Sequence, residues 1–180
     1  TNLGTGMRAS IMLHLPALQE HNAIQQLANT VSKLGLTIRG IYGEGSKSEG
    51  ALYQLSNQVT LGISEQAAIE NLLGIASQII RQERVSRESL SQNPHFEDRV
   101  WRSLGLLRTA RLLSHDEFMA LISNVRVGIA VRVIEGLSLD VIGELLNDAQ
   151  PATLMLHAGE DMEPLQRDAL RARMVRERLA

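Results

Sequence analysis

The stretch MRASIMLHLPALQEHNAIQQLANTVSKLGLTIRG, residues 7–40, indicates how the chain begins to fold. Residues 7–15 alternate apolar and polar side chains as a strand does, and Pro16 ends that pattern. Residues 17–34 place apolar side chains at helical spacing, and Gly35 stands where a glycine commonly closes a helix. Residues 36–42, LTIRGIY, form a second predicted strand. The stretch therefore predicts a strand, one helix and a second strand.

The residues that follow extend this pattern and then change it. Residues 43–50 form a polar glycine loop and residues 51–59 a third predicted strand, so the first segment is β-α-β-loop-β. Ser64 can cap a long helix over residues 65–91, which the Asn-Pro pair at 93–94 breaks. Beyond it the pattern is helical, with Pro151 as an interruption and predicted helices over residues 95–113, 115–133, 139–148 and 164–179. The fold class is thus α+β, with a β-sheet and packed helices in residues 1–93 and an all-α domain in residues 94–180.

Composition narrows the classes of protein and site that the chain can represent. Of its 180 residues, 44% are hydrophobic and 3% aromatic, which predicts a real but aliphatic core. A net charge of −2 argues against bulk electrostatic binding of nucleic acid. There is no cysteine, no long apolar run and no signal peptide, so we expect a soluble, cytoplasmic protein without disulfides. We expect no metal site, because no close ligand pair is formed by His14, His21, His95, His115 and His157.

Two glycine-rich blocks carry the first candidate chemistry. In TNLGTGMR, residues 1–8, two glycines let backbone amides approach an anion, and Arg8 follows at the edge of a strand. In RGIYGEGSKSEG, residues 39–50, Arg39 leaves a strand and enters a loop whose glycines include Gly43 and Gly45. Such a loop can cover a ligand. Ordinary surface turns have the same composition, so the residues alone leave both interpretations open.

A family resemblance rests on these two blocks together. TNLGTGMRAS, and RGIYGEG followed by LSNQVTLGISE, resemble in order and spacing the blocks of creatine and arginine kinases, over residues 1 to about 90. The resemblance is to the guanidino-phosphotransferase family. It implies that Arg8, Arg39, Gly43 and Gly45 bind the phosphates of ATP, and that Mg²⁺ enters bound to ATP. The implied reaction is in-line phosphoryl transfer to a guanidine nitrogen.

The same resemblance implies which parts of the machinery this chain lacks. The family's reactive cysteine would lie two residues before Thr1, and its catalytic glutamates lie further upstream. No catalytic residue is therefore expected within the chain, and the chain alone is expected to be inactive. Met12 stands where the family often has a histidine that contacts the nucleotide base. This departure points to a divergent branch of the family.

The tail indicates which branch. EDRVWRS at 97–103, QPATL at 150–154 and QRDALRARMVRERL at 166–179 together resemble the McsB family of bacterial protein arginine kinases. In that family the RDxxRA motif forms an accessory pocket for phosphoarginine, which here implies Arg167, Asp168, Arg171 and Ala172. The two arginines lie one helical turn apart and can converge on a phosphoryl group, and the carboxylate can take the guanidinium part of the ligand. A solvated helix end, with cations complementing the helix dipole, would have the same sequence.

Three functions remain open from the sequence. The first is part of a protein arginine kinase that transfers the γ-phosphoryl group of ATP to arginine side chains, with an accessory phosphoarginine site. The second is a non-catalytic phosphoarginine-recognition module, and the third a small-guanidine kinase of the arginine or creatine type. The resemblance also implies a bacterial stress-response setting, homodimerisation, and a CtsR-like repressor, an McsA-like activator and a ClpC-type protease as partners. We expect no partner in the membrane and no direct contact with nucleic acid.

Overall fold

A computed structural model describes residues 6–40, 48–59 and 61–180. The chain divides into two compact units, Thr1–Ser89 and Leu90–Ala180. The division lies close to the boundary that the sequence predicts at residues 93–94. Within the described residues the first unit combines a small antiparallel sheet with helices and the second is helical, so the predicted α+β class is confirmed.

The sheet of the first unit has three strands in the order β1-β3-β2, and both pairings are antiparallel. Its strands are β1, Ser10–His14; β2, Leu36–Gly40; and β3, Leu52–Asn57. The accompanying helices are α1, Pro16–Glu20; α2, Ile24–Lys33; and α3, Glu65–Ser91. Both β1 and β2 therefore flank β3, and each forms an outer strand of the described sheet.

The two faces of this sheet differ because side chains alternate along a strand. One face is apolar and joins the helices in a core that includes Leu13, Leu36, Tyr53, Leu55, Leu72 and Ile79. Residues of the opposite parity are mostly polar, among them Ser10 opposite Ser56 and Thr37 opposite the same serine. The helices thus cover one face, while the other face collects the polar side chains of all three strands.

The prediction of one helix over residues 17–34 is wrong, because two helices occupy that stretch. Asn22 separates α1 from α2 with a φ of 55°, in the left-handed region that asparagine tolerates better than most residues. The carboxylate of Glu83 accepts hydrogen bonds from the main-chain N–H groups of Ala17 and Leu18, at 3.1 and 3.0 Å. These bonds satisfy the start of α1 from a distant helix, which the local spacing of apolar residues does not reveal.

The second unit contains five helices within its described residues. They are α4, Pro94–Thr109; α5, His115–Ala130; α6, Leu139–Asp148; α7, Pro151–Ala158; and α8, Pro164–Leu179. The N-caps of α5 and α6 are Ser114 and Ser138, whose side chains accept bonds from the N–H groups of Glu117 and Val141. The long helix α3 is also confirmed over its predicted residues.

Three boundaries in this unit differ from the prediction. Pro151 begins α7 instead of interrupting the chain, because proline suits the first helical position, and Gly159 ends that helix with a φ of 74°. Helix α4 stops at Thr109, and the Leu113 N–H donates to the main-chain oxygen of Asp168. Helix α5 stops at Ala130, shortly before Arg132 with a φ of 62°. The sequence patterns over 95–113 and 115–133 therefore run past the true helix ends.

No helix in the described part of the chain combines the length and the apolar character needed to cross a membrane. Over those same residues, no group of three or more histidine, aspartate and glutamate side chains is arranged to hold a metal ion.

Candidate functional site

The polar side of the sheet carries a cavity that contains both arginines named from the sequence. It has a volume of about 270 Å³ and is lined by Gly6, Met7, Arg8, Thr37, Arg39, Ser56, Asn57 and Gln58. Arg8 lies just before β1 and Arg39 lies within β2, so the two come from opposite sides of the central strand. Although 31 residues apart in the sequence, the two arginines therefore line one cavity.

The lining of this cavity suits an anion. Within residues 6–40, 48–59 and 61–180, it includes two arginines and no carboxylate, and its other side chains are an amide pair, two hydroxyls and a methionine. Arginine presents several N–H donors in a planar fork that matches the oxygens of a phosphate group. The described part of this lining does not present the negatively charged oxygen ligands that a bare Mg²⁺ ion prefers.

The remaining predicted residues of this site are placed as follows. Gly43 and Gly45 lie outside the described residues. Met12 is exposed and pairs with Gln54 across the β1–β3 ladder, and it shares its strand parity with Arg8. The thioether therefore lies on the same side of the sheet as the cavity.

Sequence reasoning missed the polar residues of the two neighbouring strands. Thr37, Ser56 and Asn57 line the cavity together with the arginines. The register explains this, because Thr37 is the cross-strand partner of Ser56. The signal available in the sequence was the Ser-Asn pair at the end of a predicted strand, within LSNQV at 55–59.

The RDxxRA residues of the tail lie at positions 167–172 of α8. Arg171 is 1% exposed and donates hydrogen bonds from Nε to the Ala149 oxygen at 3.0 Å and from Nη1 to the Leu113 oxygen at 2.8 Å. Its Nη1 also donates to Oδ1 of Asp168 at 2.7 Å. Ala172 is buried beside it. The hydrogen bonds of Arg171 thus connect three segments, namely the residues just before α5, the end of α6, and α8 itself.

The more accessible members of the motif are Arg167 and Asp168. Asp168 is 28% exposed, and Arg167 is half-buried and donates from Nη1 to the Met162 oxygen at 2.8 Å. The sequence predicts that both arginines converge on a ligand, whereas the structure turns the guanidinium of Arg171 inward onto main-chain oxygens. Helical spacing predicts that the two arginines lie on one side of the helix, but it does not predict how deeply each side chain is buried.

The charge of Arg171 acts on His115, a histidine that the sequence analysis did not assign to this site. Burial lowers the pKa of the Arg171 guanidinium, and the hydrogen bond and charge of Asp168 oppose that shift. His115, at the start of α5, is half-buried, and burial followed by the positive charge of Arg171 lowers its pKa, while Asp116 acts in the opposite direction. The neutral imidazole is therefore favoured beside the buried guanidinium. No spacing rule links residues 115 and 171, so no sequence signal could have found the pair.

Comparison with known proteins adds to this geometry. Residues 1–86 match the family model described as ATP:guanido phosphotransferase, C-terminal catalytic domain. Residues 93–180 match the model described as Protein-arginine kinase McsB C-terminal domain. The first matched region contains the cavity with Arg8 and Arg39, and the second contains the RDxxRA residues.

Curated relatives match the chain over nearly its whole length. A protein-arginine kinase of Desulforamulus reducens is 49% identical over 181 residues, which is 99% of this chain and 51% of that protein. Those of Brevibacillus brevis and Bacillus subtilis are 50% and 45% identical, and the chain covers 51% and 50% of their lengths. The chain thus spans about half the length of the curated relatives that it matches. From both family matches and these identities, the chain belongs to the ATP:guanido phosphotransferase family, among the members that carry the McsB C-terminal domain.

Proposed function

We propose that this chain supplies part of the ATP-phosphate site of a protein arginine kinase. The observation that carries the proposal is that Arg8 and Arg39 line one cavity, whose described lining residues include no carboxylate. Two guanidinium groups from opposite sides of β3 can bind different oxygens of the same polyphosphate. Their positive charge would offset the charge that the phosphate oxygens carry during transfer.

The proposed reaction needs positioning and charge neutralisation more than covalent help from the protein. A guanidine nitrogen of the acceptor forms a bond to the γ-phosphorus while the bond from that phosphorus to the ADP oxygen breaks, and the nitrogen loses a proton. Arg8 and Arg39 would hold the phosphates in line with the acceptor. The groups that orient the guanidine and take its proton would come from residues outside this chain.

The proposed acceptor is an arginine side chain of a protein. This rests on the curated relatives, which are named protein-arginine kinases, and on the match of residues 93–180 to the McsB C-terminal domain. A small-guanidine kinase is the alternative that these two observations disfavour. Taken alone, the chain would recognise phosphoarginine without catalysing phosphoryl transfer.

We also propose an accessory phosphoarginine site at the start of α8. Arg167 and Asp168 offer opposite charges on the accessible side of the helix, as a ligand with a phosphoryl group and guanidine nitrogens requires. Arg171 would support the site from the buried side of the helix, because its 2.7 Å hydrogen bond fixes Oδ1 of Asp168. The small side chain of Ala172, which is also buried, would allow close packing around Arg171. All four residues of the motif thus belong to the proposed site, in which Arg171 has a supporting part.

The family resemblance extends the proposal to the cellular setting. A cytoplasmic kinase of the bacterial stress response would act on a CtsR-like repressor, respond to an McsA-like activator and mark proteins for a ClpC-type protease. Homodimerisation through the helical unit belongs to the same proposal.

The proposed function is tested by removing each cavity arginine from the intact protein. Arg8→Ala and Arg39→Ala should each lower phosphoryl transfer by at least ~10²-fold, the usual scale for loss of one donor that stabilises the transition state. Arg81→Ala, which removes an exposed arginine of α3 that does not line this cavity, should leave the rate near wild type. Near-normal turnover by a folded Arg39→Ala protein would overturn the assignment.

A further inference from the structure

The side-chain amide of Asn57 is bonded to the main chain on both sides of Arg8. Its Oδ1 accepts a hydrogen bond from the Ala9 N–H at 2.8 Å, and its Nδ2 donates to the Met7 oxygen at 3.0 Å. The amide orientation follows from these partners, because the reverse assignment would set donor against donor and acceptor against acceptor. Asn57 is 8% exposed, so these bonds form largely away from solvent.

These contacts continue the β1–β3 ladder past its last strand pair. Ser10 pairs with Ser56, and the Asn57 N–H then donates to the Ala9 oxygen at 3.2 Å. Beyond that point the residue before Arg8 is tied to β3 by a side chain. A third bond, from Nδ2 to the Val59 oxygen at 3.4 Å, connects the amide to the residues that follow β3. Asn57 thus fixes where the backbone of Arg8 lies relative to the rest of the cavity.

We propose that Asn57 is a positioning residue for Arg8, acting on phosphate binding through the backbone that carries that guanidinium. Only an amide at this reach both accepts from one flank and donates to the other. An aspartate would lose the donor to Met7 and would place a negative charge among the arginines. The inference rests on the proposed function, since it assigns Arg8 to a nucleotide phosphate.

The test measures kcat and KM for ATP in the intact protein with Asn57→Ala, Arg8→Ala and both changes together. Asn57→Ala should lower kcat/KM about 10-fold, because small displacements of a positioning group cost one to two orders of magnitude. In the Arg8→Ala background the same change should have less than about a 2-fold further effect, since residues that act through one another are not additive. A merely structural part for Asn57 would instead multiply the two losses. Asn57→Ser is measured in the same way if Asn57→Ala does not fold.

Asn71→Ala provides the matched control. It removes an exposed amide on α3, whose Nδ2 donates to the Leu34 oxygen at 3.4 Å, without touching either flank of Arg8 or lining the cavity. Its kcat/KM should stay near wild type. Normal turnover by Arg8→Ala would overturn the proposed function itself. A full loss in Arg8→Ala, together with wild-type kinetics or a multiplicative effect of Asn57→Ala, would overturn only the positioning part of Asn57.

Discussion

Burial decides what Arg171 contributes to the helical unit. Its guanidinium, 1% exposed, bonds two main-chain oxygens and one carboxylate. A buried charge is tolerated only when such partners compensate for the loss of water. Arg171 is thus a structural cation first, and the residues that would face the ligand in the proposed phosphoarginine site are Arg167 and Asp168.

Phosphoarginine binding is the prediction that belongs to these residues. Arg167→Ala and Asp168→Ala should each weaken binding of phosphoarginine to the chain by about 10- to 100-fold, the effect of losing one charged hydrogen-bonding partner. Isothermal titration calorimetry measures the Kd, and Arg173→Ala, an exposed arginine of the same helix, serves as the control. Equal affinity for phosphoserine and phosphoarginine, or no change on either substitution, would reduce the segment to a solvated basic helix end.

The sequence identified the residues of this motif, but it did not predict how deeply each side chain is buried. Spacing of four positions is enough to place Arg167 and Arg171 on one side of a helix. The oxygens that bury Arg171 belong to Leu113 and Ala149, which lie 58 and 22 residues away along the chain. Similarly, Asn57 meets the flanks of Arg8 across 48 and 50 residues. Contacts of this range depend on tertiary packing, which local patterns do not encode.

Among the elements, α1 and α3 show how a distant side chain can set a helix boundary. Glu83 on α3 is 3% exposed and bonds the first N–H groups of α1, and Arg87 donates to its Oε1 from Nε at 2.6 Å. Arg87 also donates from Nη2 to the His14 oxygen at 2.9 Å, which connects the same pair to the end of β1. One carboxylate therefore joins α1, α3 and, through its arginine, the sheet.

Removal of that carboxylate should destabilise the first unit. Glu83→Ala should lower the free energy of unfolding by about 2–4 kcal/mol, because it leaves buried donors and a mostly buried arginine without their acceptor. Denaturant unfolding followed by circular dichroism measures the change. Asp98→Ala removes a pair with the same i,i+4 spacing, Arg102–Asp98, whose side chains are 76% and 63% exposed. The control should cost only about 0.3–0.5 kcal/mol, as exposed helix pairs do. Equal effects of the two changes would contradict the account of Glu83.

Elements with local start signals were predicted well, and those without them were not. Ser114 and Ser138 cap α5 and α6 with their own side chains, so a short motif sufficed. The start of α1 is capped from α3, and the break at Asn22 depends on a backbone angle that no residue pattern requires. Helix α7 does not follow from the sequence pattern, because a proline can end one helix or occupy the first position of the next, as Pro151 does.

At the scale of the whole molecule, the chain combines two matched regions with separate sites. The sheet unit carries the arginine cavity, and the helical unit carries the RDxxRA residues. Among the described residues the cavity has cations but no carboxylate that could orient a guanidine. Phosphate binding is therefore the step of the proposed reaction that the described residues of this chain support.

The most direct test is to identify the acceptor of the phosphoryl group. The intact protein is incubated with Mg-ATP, a protein acceptor and free arginine, and products are read by mass spectrometry without acid, because the N–P bond of phosphoarginine is acid-labile. We expect phosphoryl groups on arginine side chains of the protein acceptor, little on free arginine, and none when the 180-residue chain replaces the intact protein. Transfer confined to free arginine, transfer to serine or threonine hydroxyls, or full activity of the 180-residue chain would contradict this expectation.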